Sequence, residues 1–232
     1  MASVSHMTPD AADRLTDSGN DSPLRRIAVI ALAAIMLGFA VQLLILAARL
    51  AAGGPMPGAA VFLDMTQGVT WSLLVCTGVG IGVSIRARSA VVGMIGLISA
   101  PIAVGAAKAS QRIVASLLDA AEQQAVLSLG SISVLRAVEY GILGFVLGTL
   151  AQRGEMRLSR YLGAGAAAGI VLGGAVLALT AYVAALAGTP FDAPKLAAGV
   201  VNEMVFPMGC ALVIYAGQLA GRTFNRVELA LN

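Results

Sequence analysis

In this chain of 232 residues, 58% of side chains are hydrophobic and 12% charged, with a mean hydropathy of +0.87. That excludes a soluble globular domain, where charged residues make up roughly a quarter. The formal net charge of +3 is almost wholly arginine placed at the ends of apolar runs, with no basic surface interleaved with aromatics, so no nucleic-acid partner is expected.

The length suits six spans of about 20 residues with short connections. The expected class is therefore an all-α integral membrane protein of six transmembrane helices whose main partner is the lipid bilayer. Residues 1–24 carry Asp10, Asp13, Asp17 and Asp21 among Ser, Thr and Ala with no apolar period, and read as a disordered cytoplasmic tail. Span one follows Arg25 and Arg26 and covers 27–48; it is longer than a secretory h-region and lacks a clean cleavage site. The turn AAGGPMPG cannot continue a helix.

Span two, 59–85, holds Asp64, Gln67 and Trp71 and ends at Arg86 and Arg88. Span three, 90–107, is uncharged and contains Pro101, where a kink is expected. From 109 to 129, Val114, Leu117, Leu118, Ala121 and Ala125 recur at helical spacing with polar residues elsewhere on the wheel, which predicts an amphipathic helix lying at the interface between spans three and four. Span four, 132–151, contains Arg136, Glu139 and Tyr140; span five, 161–187, contains Tyr182; span six, 196–219, contains Asn202, Glu203 and Pro207. A short cytoplasmic tail, 223–232, is expected to follow the 25–222 membrane domain.

Lys and Arg divide unevenly between the two sides of this map. Arg14, Arg25, Arg26, Arg86, Arg88, Arg153, Arg157, Arg160, Arg222 and Arg226 fall on one side, and Arg49, Lys108, Arg112, Arg136 and Lys195 on the other. The positive-inside rule then puts both termini in the cytoplasm and the chain in the inner (plasma) membrane. Small-xxx-small spacings at Gly78/Gly82, Gly144/Gly148, Gly165/Gly169/Gly173 and Gly217/Gly221 predict helix-packing faces, because lipid offers no hydrophobic drive for helices to associate. Such faces suit packing within the chain, a homo-oligomer or a membrane-protein partner. Spans two, four and six share an order of acid, aromatic, glycine pair and arginine, which fits three helix pairs in parallel repeat; a three-plus-three inverted repeat competes with it.

No catalytic motif accompanies these spans: there is no G-x-S-x-G, H-E-x-x-H or Walker loop. The only histidine, His6, lies in the polar N-terminal segment, so no metal and no cofactor are expected. Cys76 and Cys210 fall inside apolar spans and read as small buried residues. A non-enzymatic role is expected. Arg136 and Glu139 stand three residues apart on one helix face, and ionisable side chains inside membrane spans mark functional sites by default. Glu139, Glu203, Arg136, Asp64 and Asn202 are the expected substrate or ion pathway. Their bland role is an ion-pair network that holds the bundle together. The leading function is a small transporter or channel for an ion or small solute; the alternative is a non-transporting subunit that anchors a larger membrane complex through its glycine faces.

Overall fold

The computed structural model describes residues 21–56, 58–120, 128–189 and 192–231, with side chains described only as far as Gly221 at the C-terminal end. Among these residues the architecture is helical throughout, with no β-sheet. The helices are α1 (Asp21–Ala51), α2 (Ala60–Ser84), α3 (Ser89–Leu117), α4 (Leu129–Gln152), α5 (Leu158–Ala168), α6 (Gly174–Leu186), α7 (Ala193–Val200) and α8 (Phe206–Leu231). Two π-helical turns, Gly169–Gly173 and Val201–Val205, join α5 to α6 and α7 to α8. Each of those pairs therefore makes one continuous span, and six helices are long and apolar enough to cross a membrane.

Within the apolar window of each span only 22% to 44% of residues are buried inside the protein, and the outward surface carries side chains such as Leu32, Met36, Phe62, Met94, Ile102 and Val171. An apolar exterior of this extent is stable only in lipid. The protein is a multi-pass, bilayer-embedded six-helix bundle.

Several boundaries differ from those read in the sequence. Residues 21–24 belong to α1, while the rest of the expected N-terminal tail, 1–20, lies outside the described residues. The helix of span three does not stop at Lys108: α3 runs on to Leu117, burying Ala107, Gln111 and Ala115 on one face. The first half of the expected interfacial helix is thus the end of a spanning helix, because its apolar positions stay in register with those of span three. Residues 121–127 of that expected helix lie outside the described residues. Pro101 sits inside α3 without ending it. Residues 223–231, expected as a tail, continue α8 as helix.

Antiparallel neighbours α1 to α4 pack in chain order, and the sixth span closes back onto α1 and α2 with the fifth span against it. The glycines set these distances. A Cβ on Gly78 would meet Ser99, one on Gly82 would meet Ile95 and Val92, and ones on Gly144 and Gly148 would meet Val92, so α2, α3 and α4 approach almost backbone to backbone. Gly165, Gly169 and Gly173 face Met208, Met204 and Glu203, while Gly217 and Gly221 rest on Ile30 and Arg26. All nine glycines of the expected packing faces make their contacts inside one chain.

Pro207 explains the π turn in the sixth span. Its ring has no N–H to bond the carbonyl of Glu203 and would clash with it in a regular helix. The widened turn Val201–Val205 lets that carbonyl lean aside, and it leans towards Gly173 and Gly169, whose missing side chains leave the room. The π turn of the fifth span stands opposite, so the two irregular turns pack against each other.

At the end of the bundle rich in arginine, α4 stops at Gly154 (φ 65°), whose left-handed conformation glycine adopts at no steric cost. Glu155 then braces the turn that leads into the next helix. Its Oε1 accepts from the backbone N–H groups of Arg157 and Met156, both at 3.0 Å, and its Oε2 pairs with Arg160 at 2.6 Å. The Arg157 N–H first, with the Met156 N–H and the charges of Arg160 and Arg157, holds this carboxyl below the ordinary glutamate range against an opposing effect of desolvation.

Two outcomes are expected. Gly96→Ala should lower the melting temperature of the purified protein in detergent, since its Cβ would run into the backbone oxygen of Tyr140, costing about 1–3 kcal/mol. Gly105→Ala, with nothing within 4 Å, should be neutral or slightly stabilising; equal losses in both variants would refute the close-packing account. Because the Glu155 carboxyl is lowered in the folded state, its contribution is fully present above the unfolded value and is lost as pH falls through the folded one. Glu155→Gln should therefore flatten the acid limb of melting temperature against pH.

Candidate functional site

Helix α4 places Arg136 and Glu139 one turn apart, and the π turn of the sixth span swings Glu203 across to meet them. Arg136 Nη1 donates to Glu139 Oε2 at 2.6 Å and to Glu203 Oε2 at 2.6 Å, and Nη2 donates to Glu203 Oε1 at 2.5 Å. Asn202 Nδ2 donates to the same Glu203 Oε1 at 3.0 Å. The side chains are 12%, 1% and 8% exposed for Arg136, Glu139 and Glu203, so this is a buried network of one guanidinium and two carboxylates. Glu139 Oε1 is buried without a hydrogen-bond partner among the described atoms.

The guanidinium also lies over the ring of Trp71, 5.7 Å from its centroid, a favourable cation–π arrangement. Trp71 belongs to an aromatic triad with Tyr140 and Phe206, with centroid separations of 5.4, 6.2 and 6.0 Å. Trp71 of span two, Tyr140 of span four and Phe206 of span six thus converge on one point. Tyr182, by contrast, points outward and is 62% exposed.

Above this triad a cavity of about 930 Å³ opens at the end of the bundle where α1, α2, α3, α4 and α7 come together. Its size falls in the range of small-molecule sites. Trp71 and Phe206 form its floor, and Arg136 and Asn202 its deep wall. Beneath the floor the bundle is solid: Val75, Cys76, Val79, Leu143, Cys210 and Ile214 are all within 1% of full burial. Cys76 and Cys210 are free thiols within this packing.

Of the expected site residues, Arg136, Glu139, Glu203 and Asn202 form one hydrogen-bonded group, and Asp64 lies on the same cavity wall, paired with Arg49 at 2.8 Å. Glu139 and Glu203 stand behind Arg136 rather than on the wall. Arg49, Gln42, Gln67 and Gln111 were not among the expected site residues, yet all line the cavity. The available signal was an amide inside an apolar run: Gln42 interrupts AVQLL in span one, where lipid would leave it unsatisfied. Lys108 Nζ donates to Gln111 Oε1 at 2.9 Å, and Ser110 Oγ reaches Thr70 Oγ1 at 3.2 Å, which ties α3 to α2.

Comparisons with protein-family models, with curated protein sequences and with solved structures give no match.

Removing the guanidinium alone strands two buried carboxylates. Arg136→Met should destabilise the protein by roughly 3–5 kcal/mol, read as a large fall in melting temperature. The triple variant Arg136→Met, Glu139→Gln, Glu203→Gln should recover most of that loss; if Arg136→Met melts like the wild type, the network is not what joins α4 to the sixth span.

Proposed function

We propose that the protein is a small inner-membrane transporter with a non-enzymatic role, which takes its solute into the cavity above Trp71 and Phe206 and releases it on the other side by alternating access. The observation that carries this reading is the cavity of about 930 Å³ lined by Trp71 and Phe206, with the fully buried Val75, Cys76, Val79, Cys210 and Ile214 following on the same helices. A conducting channel needs a continuous path, whereas a blind cavity over a glycine-tight half is the form of one end state of a carrier. The arginine-rich end, with Arg86, Arg88, Arg153, Arg157 and Arg160, is assigned to the cytoplasm, so the cavity faces outward.

The paired π turns supply the moving part. They are irregular backbone inside membrane spans, which is tolerated where protein or a cavity surrounds it and recurs at functional sites. Arg136 on α4 grips Glu203 in one of these turns, so a rocking of the sixth span against α4 must change that grip as the cavity closes. The alternative role, a non-transporting subunit held to its partners by glycine faces, draws less support, because those glycines touch helices of their own chain.

Mass spectrometry of small molecules that co-purify in mild detergent identifies the solute, and uptake of that solute into proteoliposomes tests the proposal. Wild-type protein should take it up. Glu139→Gln should lose uptake yet keep a near wild-type melting temperature, since the Arg136–Glu203 pair remains. Undiminished uptake by Glu139→Gln removes the network from the mechanism, and uptake that appears only with a co-purifying protein favours the subunit role.

A further inference from the structure

Arg136 serves two acids with one guanidinium, and serves them unequally. Glu203 Oε1 accepts from Arg136 Nη2 at 2.5 Å and from Asn202 Nδ2 at 3.0 Å, and its Oε2 accepts from Nη1 at 2.6 Å. Both oxygens of Glu203 are thus met by donors, the arrangement that suits an ionised carboxylate. Glu139 receives one bond, at 2.6 Å to Oε2, from the nitrogen that already serves Glu203 Oε2. Its other oxygen, Oε1, is buried with no hydrogen-bond partner among the described residues, in a side chain 1% exposed.

The surroundings leave this group one cation short. Arg136 and Tyr140 flank Glu139 on α4, and Glu203 and Cys210 face it from the sixth span. Residues 27–48 of α1 and 89–107 of α3 include no titratable side chain, and the fifth span meets the backbone of Glu203 with Gly169 and Gly173. From α2, Trp71 lies against the guanidinium and Cys76 bonds to Cys210, while Asp64 is matched by Arg49.

Two ionised carboxylates beside one guanidinium would bury a net negative charge, which low-dielectric surroundings penalise. A single proton on Glu139 makes the group neutral, with Arg136 positive and Glu203 negative. Oε1 is the oxygen for it, since a neutral hydroxyl without a partner costs less than an anionic oxygen without one. A metal cation in its place would call for more oxygen ligands, and among the described residues no three His, Cys, Asp or Glu side chains are placed to hold one.

We infer that Glu139 is a proton-binding site: while Arg136 holds Glu203, the group carries one proton, on Glu139 Oε1, and its release is coupled to movement of the sixth span. The coupling rests on the alternating-access reading of the proposed function; the proton site does not. When the sixth span draws Glu203 away, the guanidinium is left to Glu139, and one cation then favours one ionised acid. The O–H bond at Oε1 breaks, the proton passes to water on the side then open, and Glu139 keeps the electron pair as a carboxylate bound to Arg136.

Infrared spectroscopy of the full-length protein in lipid nanodiscs reads the proton directly, because the carbonyl stretch of a protonated carboxylic acid stands apart from carboxylate bands. Exposed acids are ionised at about pH 7 and give no such band. Wild-type protein should show the band at that pH, and isotope labelling of glutamate carboxyl carbons should shift it. Glu139→Gln should lose it. In Glu139→Asp the band should no longer respond to the glutamate label, whereas in Glu203→Asp it should still respond. A wild-type protein without the band, or a label-sensitive band in Glu139→Asp, overturns the proton site. Should the Glu139 variants fail to fold, presence or absence of the label-sensitive band in the wild type decides.

Proteoliposomes enclosing the pH-sensitive dye pyranine, with the potential clamped by potassium and valinomycin, then receive the small-molecule fraction that co-purifies with the protein. Wild-type vesicles should acidify inside and Glu139→Gln vesicles should not. Solute uptake without acidification keeps transport and overturns the coupling. The infrared band without any solute uptake keeps the proton site and removes transport.

Discussion

Arg136 is the point on which the two halves of the molecule depend. Its guanidinium donates to Glu139 on its own helix and to both oxygens of Glu203 on the sixth span. Moving ionic groups out of water costs several kcal/mol each, and only close, well-aligned pairing returns it. The network therefore tolerates one register between α4 and the sixth span and penalises others. It also supports the aromatic floor, since the same guanidinium caps the face of Trp71 while Tyr140 and Phe206 pack at its edges.

The rest of the bundle is organised by the absence of a hydrophobic drive between helices in lipid. Van der Waals contact between backbones takes over, and that needs glycine at each crossing. The division of labour follows the chain axis. The half near the arginine-rich end is closed by Gly80 and Gly217 against Ile30 and by Gly148 against Val92, whereas the opposite half holds helices apart with long polar side chains. Ser72 Oγ, bonded to the Ala34 carbonyl at 2.6 Å, joins α1 to α2 beside the cavity floor.

The π turns connect these two features. Pro207 cannot bond the Glu203 carbonyl, the widened turn Val201–Val205 holds Glu203 against Arg136, and Gly169 and Gly173 make room for the backbone of that turn. A regular helix through 201–205 would point residue 203 in a different direction by a fraction of a turn. The proline, the two glycines and the glutamate thus act as one unit spread over two spans, and the ion network follows from a backbone irregularity.

Composition and periodicity alone determined the fold class, the six spans to within a few residues for most ends, and the pairing of Arg136 with Glu139, because these depend on local spacing and on the cost of polar groups in lipid. They also marked the glycine faces, though not their partners. What only the tertiary structure decided is long-range: that Glu203 joins Arg136, that Asp64 is matched by Arg49 fifteen residues earlier, and that Glu139 and Glu203 stand behind the cavity wall. The continuation of α3 past Lys108 was also hidden, since a cation and a glutamine in a run resemble an interface until the cavity that solvates them is seen. Arg136, which in sequence is an isolated charge in an apolar helix, owes its depth, its second partner and its place at a cavity to contacts across 67 residues, and no local pattern encodes those.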